Sequence, residues 1–208
     1  MDIITAITKE RGRLRVVINE DSEVLVPVSL FRERPLSVGD AIDMEEYDQW
    51  LLLRQYRHAL DRAVAFLAGR ARSRREMEER LLRSGYRPCT VEMVLFKLEK
   101  EGLLDDADFA RQWVDARSAR RVGRGRIAQE LRRKGVSAQE AEEALEALSE
   151  EEQLEGAMLL VEKALSRAPS GEEPRKTAAR ITAMLARRGY GYDVAREAIS
   201  RVMECTEE

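Results

Sequence analysis

The chain is poor in the residues that most often carry catalysis. Its 208 residues include one His (His58) and two Cys (Cys89 and Cys205). A zinc site built from His and Cys therefore lacks ligands. A Ser-His-Asp or Cys-His arrangement depends wholly on His58, which stands in a helical stretch of charged and apolar residues and reads as a surface or packing residue. Two distant cysteines make no disulfide framework and suit reduced thiols in the cytosol. No apolar run approaches the ~20 residues of a membrane span, and the N-terminus lacks a basic-then-apolar leader pattern, so a soluble cytoplasmic protein is expected. A Gly-Lys-Ser/Thr phosphate loop is missing, which excludes NTP hydrolysis by that route. No catalytic, cofactor-binding or metal-binding residues are expected.

Aromatics make up only 5%, while charged residues reach 36% and hydrophobic residues 44%. That balance supports a real core, and it suits helices with narrow apolar stripes better than a β-sandwich or barrel. The N-terminal stretch is the exception. Residues 14–18 and 24–28 are rich in Val, Ile and Leu, and Asn19-Glu20-Asp21-Ser22 lies between them. They read as a hairpin, joined by a third strand around residues 3–7. Pro35 and Gly39 then mark a loop.

From about residue 45 the chain reads as helix, and it repeats. The repeat aligns on Gly85, Gly135 and Gly189, spaced by 50 and 54 residues. Four residues before each glycine stands Leu81, Leu131 or Leu185, and eight before stands Met77, Ile127 or Ile181. Tyr86, Val136 and Tyr190 follow directly. Leu95, Leu145 and Ile199 come ten residues later, then Leu98, Leu148 and Val202 three further on. Such self-similarity signals tandem modules, each of three helices, with the second helix ending at the glycine. The third helix of the first module shows an apolar stripe at Val91, Val94, Leu95 and Leu98. Ser73-x-x-Glu76, Ser137-x-x-Glu140 and Ser149-x-x-Glu152 are capping-box patterns at helix starts. Gly102 closes one helix; Asp105 or Asp106 caps the next, which buries Phe109 and Trp113.

The expected architecture is mainly α: a β segment at 1–48, then three-helix modules at 49–104, 105–148 and 149–208. A longer connection at Pro169-Ser170-Gly171 accounts for the wider second spacing. Modules this small have thin cores and are expected to stack into an elongated, curved array.

The net charge of −3 hides a gradient. Residues 1–50 carry net −5 and residues 51–104 net +5. Within 117–134 the cations Arg117, Arg120, Arg121, Arg124, Arg126, Arg132, Arg133 and Lys134 face one acid, Glu130. That excess reads as a surface for phosphates or an acidic protein. A second run includes Arg72, Arg74 and Arg75 but is diluted by Glu76, Glu78 and Glu79, which favours pairing within helices. Few aromatics accompany either run, so stacking on single-stranded bases is not indicated.

Three tempting signals are weak. Gly123-Arg124-Gly125 imitates half a dinucleotide fingerprint, but Ala128 stands where the third glycine belongs and no strand precedes it. Asp105, Asp106 and Asp108 suit capping and the helix dipole better than a metal. Residues 138–148, the would-be recognition helix of a helix-turn-helix, carry Glu140, Glu142, Glu143 and Glu146 and no base.

Gly102-Leu103-Leu104-Asp105-Asp106, Phe109-Ala110, Gly123, Arg126-Ile127, Glu130-Leu131 and Lys134-Gly135-Val136 together resemble the central signature of the RecX family. The match is strongest over residues 73–148. The three-module layout fits 49–208, and the N-terminal segment matches only loosely. The resemblance implies a non-enzymatic regulator of the RecA recombinase, acting in recombination, DNA repair and the SOS response. It implies binding along the groove of the RecA filament on DNA, hampering filament growth, ATP turnover and strand exchange. The exposed cations of 117–134 are the candidate contacts, with Arg72, Arg74 and Arg75 behind them. The acidic N-terminus favours a protein partner with DNA nearby over tight independent DNA binding, and a monomer is the expected state. A helical DNA-binding module without RecA, and a helical adaptor for another acidic protein, are the competing readings.

Overall fold

The computed structural model describes residues 1–169 and 173–204. Near the N-terminus, β-branched residues build four antiparallel strands: β1 (Asp2–Glu10), β2 (Arg13–Ile18), β3 (Ser22–Pro27) and β4 (Ala41–Ile42), in the order β3-β2-β1-β4. Ile4, Val16, Ile18 and Val26 turn to the buried face and meet Leu30, Tyr47 and Leu51. The hairpin closes earlier than the sequence suggests. Asn19 and Glu20 take left-handed φ angles of 50° and 67°, and the Asp21 N–H donates to the Ile18 carbonyl at 3.3 Å. Ser22 is therefore already strand, paired with Ile18.

Two elements were not expected. Helix α1 (Val28–Glu33) begins where strand was read, between Pro27 and Pro35, and buries Leu30. Its apolar run continues that of β3, so periodicity over six residues could not separate them. Strand β4 is two residues long and exists only through its pairing with Asp2 and Ile3.

Among the described residues nine further helices follow: α2 (Met44–Gly69), α3 (Arg74–Arg83), α4 (Pro88–Lys100), α5 (Asp106–Ser118), α6 (Arg124–Arg133), α7 (Ala138–Glu146), α8 (Glu150–Leu165), α9 (Pro174–Arg187) and α10 (Tyr192–Glu204). Helix α2 starts on the Asp43 cap and runs for 26 residues. It belongs both to the sheet's core, through Tyr47 and Leu51, and to the bundle with α3 and α4, through Ala59 and Ala63. Residue 48 therefore falls inside a continuous helix. Residue 148 falls between α7 and the Ser149 cap of α8. Pro169 lies between α8 and α9, whereas Ser170, Gly171 and Cys205 lie outside the described residues. The chain divides into two compact units, Met1–Asp105 and Asp106–Glu208.

Each apolar position of the repeat is buried. Leu81, Leu131 and Leu185 are fully enclosed, as are Met77, Ile127 and Ile181. Burying such a side chain contributes about 1.5–3 kcal/mol, so these six anchor three thin cores. Ser137 and Ser149 form complete capping boxes with Glu140 and Glu152, and the Ser73 hydroxyl accepts from the Glu76 N–H. Helix α5 begins at Asp106, buries Phe109 and packs Trp113 against the same core.

Gly85, Gly135 and Gly189 all adopt left-handed φ angles, of 93°, 85° and 90°. In the second unit this bend brings two backbones together. The Gly123 N–H donates to the Arg188 carbonyl at 2.9 Å and the Gly125 N–H to the Gly189 carbonyl at 3.0 Å. A Cβ on Gly123 would lie 2.4 Å from the Gly189 carbonyl carbon. The Gln153 side chain of α8 completes the joint by accepting from the Arg124 N–H at 2.8 Å. The glycine pair that imitates a nucleotide fingerprint is thus the seat of α9's last turn. The first unit repeats the device with different parts. Gly12, at φ 81° in the β1–β2 turn, would place a Cβ 2.7 Å from the Arg83 carbonyl, while Gly85 sits against Gly12 and Arg13.

Gly123→Ala therefore meets backbone rather than a flexible side chain, and it should cost about 1–3 kcal/mol in denaturant unfolding. Gly191→Ala, with nothing within 4 Å of its added methyl, should stay within about 0.5 kcal/mol of the parent.

Candidate partner-binding surface

The cations of 117–134 do not form one stripe. Arg117 is committed. Its Nε lies 2.6 Å from Glu130 Oε2, and a second guanidinium nitrogen meets the other carboxylate oxygen. Trp113 donates its indole N–H to the same carboxylate at 3.1 Å. The Trp113 ring carries the Arg117 guanidinium at 5.4 Å and the Lys134 ammonium at 4.1 Å. Arg126 reaches Glu130 at 3.4 Å from the exposed side and donates to the Arg187 carbonyl at 3.1 Å. Hydrogen bonding from Arg117 holds the Glu130 carboxyl below its usual range, against the upward pull of partial burial, and Glu130 in turn raises Arg117. The one acid of the basic run is therefore shared by two arginines.

Arg124 points elsewhere. It pairs with Glu142 of α7 at 2.5 Å and lines a cavity whose wall also carries Glu150, Asp193 and Glu197. Arg120 and Arg121 sit in the exposed turn after α5, with Arg121 in the left-handed region at φ 55°. Their carbonyls accept from the Arg188 guanidinium at 3.5 and 3.3 Å.

Arg132 and Arg133 are exposed at the end of α6. With Arg126 and Arg187 they line a cavity of about 580 Å³ between α6 and the end of α9, floored by Gly125 and Gly189. Among the described residues, no carboxylate pairs with Arg132, Arg133 or Arg187. Glu130, the acid on this wall, is held by Arg117. Arg187 and Arg188 do not stand out in the sequence, because only two cations adjoin there. The repeat offered the signal: Arg83, Arg133 and Arg187 each stand two residues before the repeat glycine.

In the first unit, Arg72 lies over the Phe66 ring and donates to the Phe66 carbonyl at 3.0 Å. Arg74 bonds Glu92 and Glu99, both at 2.7 Å, and Arg75 pairs with Glu79 at 3.1 Å. All three are tied into their own bundle, but only Arg75 does so chiefly through an acid of its own helix; Arg74 reaches across to α4, and Arg72 uses a carbonyl and a ring.

Among the described residues, no cluster of His, Cys, Asp or Glu could hold a metal ion, and no helix is long and apolar enough to cross a membrane. His58 lies 2.6 Å from Glu33 with no nucleophile in the pair, and Cys89 is an exposed free thiol. Asp108 is occupied by Arg111 and Gln112 of its own helix.

A small antiparallel sheet followed by tandem three-helix modules defines the architectural class. Family models described as the first, second and third three-helix domains of RecX match residues 59–98, 105–145 and 150–199. The "Regulatory protein RecX" of Mycobacteroides abscessus is 39% identical over 175 residues, covering 81% of this chain and 83% of its own length. The protein of the same name from Mycolicibacterium smegmatis is 38% identical over 142 residues, covering 66% and 75%. A crystal structure of a regulatory protein RecX superposes with a TM-score of 0.69 over 97% of this chain and 100% of that one, at 24% identity. RecX from Lactobacillus salivarius superposes at 0.68 over 72% and 97%. The two superpositions bear on the fold. The chain belongs to the RecX family, whose members are regulators rather than enzymes.

Glu130→Gln keeps the shape but removes the charge that neutralises Arg117, and should cost about 1–3 kcal/mol at neutral pH. Because folding lowers the Glu130 pKa, its stabilisation is complete above the usual carboxylate value of 4.5 and fades as the pH falls through the lowered value. Chemical denaturation across pH should show the parent-to-variant gap constant near neutrality and narrowing in acid.

Proposed function

We propose that this protein binds the RecA recombinase, as its filament on DNA, and restrains filament growth, ATP turnover and strand exchange. It acts in the cytoplasm, in recombination and DNA repair, as a monomer and by binding alone. Family membership supports the choice of partner. The observation that supports the choice of surface is the group Arg132, Arg133 and Arg187. These are exposed guanidinium groups with no carboxylate partner among the described residues, gathered from two modules around one cavity. Arginine's planar fork fits the carboxylates of an acidic protein face as well as phosphate. Arg120 and Arg121 extend the surface in the adjoining turn. Arg117, Lys134 and Arg74 serve packing first. A filament offers many copies of one binding face, so modest contacts from tandem modules combine through effective concentration.

The test is a titration of RecA's DNA-dependent ATPase. The parent should lower it at a small fraction of the RecA concentration. Arg132→Glu combined with Arg133→Glu should demand about tenfold more protein for the same effect. Its melting temperature should stay within a few degrees, since exposed charges contribute little to stability. An ATPase indifferent to the parent protein at every ratio overturns the proposal. Tight duplex binding that falls steeply with salt, with RecA unaffected, would establish instead a helical DNA-binding module.

A further inference from the structure

The first unit holds a second group of arginines, outside the run from 117 to 134, that pairing within helices does not explain. A cavity of about 390 Å³ opens where the β1–β2 turn meets the end of α3. Arg11 comes to it from the turn, Arg32 from α1, Arg62 from α2, and Arg80 and Arg83 from the last turn of α3. Ser29 and Ser84 add hydroxyls to the wall, and among the described residues no carboxylate lines it.

The helix dipole accounts for Arg80 and Arg83, which stand at a C-terminus. It does not account for Arg11, Arg32 and Arg62, which three other elements bring to the same place. Among the described residues, Arg11 and Arg32 are exposed and no carboxylate pairs with either. Arg62 and Arg80 are held in place by the Phe66 ring, at 5.4 and 4.8 Å. Arg83 alone has a carboxylate, Glu79 at 3.4 Å, which it shares with Arg75. Five like charges around one opening repel one another, and an anion placed among them removes that repulsion.

The position matters as much as the charge. Gly12 and Gly85 meet here as Gly123 and Gly189 meet in the second unit. Each joint carries a cavity at its edge, and each cavity is lined by the arginine two residues before the repeat glycine: Arg83 here, Arg187 there. The β1–β2 turn thus does for the first module what the start of α6 does for the third.

We propose that the cavity formed by Arg11, Arg32, Arg62, Arg80 and Arg83 is an oxyanion site that takes a phosphate group of a nucleic-acid backbone. Planar guanidinium forks and serine hydroxyls suit tetrahedral phosphate oxygens, and the mixed origin of the arginines lets them approach from several sides. The site reads no base, since nothing aromatic on its wall is free to stack: the Tyr86 phenol is buried and lies beside Ser29. This site stands apart from the proposal about RecA and is tested without RecA.

The full chain, isotopically labelled, is titrated with inorganic phosphate while the guanidinium Nε–H and the Gly12 and Ser84 amide resonances are followed. A short DNA duplex is then bound at several salt concentrations. Phosphate should move resonances of the five arginines together. Arg11→Glu with Arg32→Glu should weaken duplex binding about tenfold and reduce the slope of log affinity against log salt by about 1. Arg57→Glu with Lys100→Glu changes the net charge equally on exposed positions outside the cavity, and should leave most of the affinity. Arg11→Lys with Arg32→Lys, which keeps the charge, should bind between the parent and the reversal and report on folding. Equal losses in the two reversal pairs, or phosphate shifts absent from these arginines, overturn the proposal. So does a polyglutamate peptide that binds the cavity as well as the duplex does.

Discussion

The structure depends on a contact between two backbones. A helix ends in a left-handed glycine, and the exposed peptide groups of that last turn dock onto a second glycine-bearing segment. Between Gly123-Arg124-Gly125 and Arg188-Gly189 the approach is so close that side chains are excluded from the joint. Two backbone hydrogen bonds and the Gln153 amide carry it. Such contacts satisfy peptide groups that helix ends otherwise leave without partners. They are also short-ranged and directional, so they fix α9 on α6 more sharply than a thin apolar core could. The first unit reaches the same geometry with a β-turn: Gly12 supplies the close approach and Gly85 the bend.

This joint sorts the charges. Arginines near a helix C-terminus are favoured by the dipole, and the repeat brings such a terminus to every joint. What differs is the supply of acid. In the first bundle Glu92, Glu99 and Glu79 draw in Arg74 and Arg75. In the second unit Glu130 is spent on Arg117 and Glu142 on Arg124, leaving Arg132, Arg133 and Arg187 around their cavity. A net charge of −3 therefore coexists with strongly cationic patches. Exposed ion pairs contribute only about 0–1 kcal/mol each, so this distribution has little to do with stability. It matters for which surfaces an anionic partner meets.

Much of the fold was legible because burial leaves a periodic trace. The glycine alignment found the core positions of all three repeats, from Leu81, Leu131 and Leu185 outward. The Ser-x-x-Glu boxes marked helix starts, because a cap is a local interaction that sequence states directly. The misses share a cause as well. Helix α1 and strand β4 are too short to show a period, and both are set by what they pack against. The surface was only half legible. Sequence pointed to Glu79 for Arg75, four residues along one helix, but not to Glu92 and Glu99 for Arg74 or to the Phe66 carbonyl for Arg72. It could not see that Glu142, 18 residues along the chain, reaches Arg124, or that Arg187 joins Arg132 from another module. Gly123-Arg124-Gly125 shows the same limit from the other side. Its two glycines do mark a close approach of backbone, but the group that approaches is a helix end of the same protein rather than a phosphate.

The binding role proposed for this regulator would place few demands on atomic placement within a cleft and many on the spacing of its contacts. Repeated three-helix modules meet that demand with little sequence. Each shares five aligned buried apolar positions, a serine cap at one helix start and a glycine, and the solvent-facing residues are left to carry charge. The arginine two places before the repeat glycine lies on that outer surface in all three repeats, as Arg83, Arg133 and Arg187. The residues that build a joint and the exposed arginines are therefore neighbours in sequence, yet they answer to different physics. Adding a Cβ at Gly123 or Gly189 disturbs the fold through steric overlap, while changing Arg133 or Arg187 alters a surface potential and leaves the joint intact. The cationic surface can therefore be altered without disturbing the glycine joint.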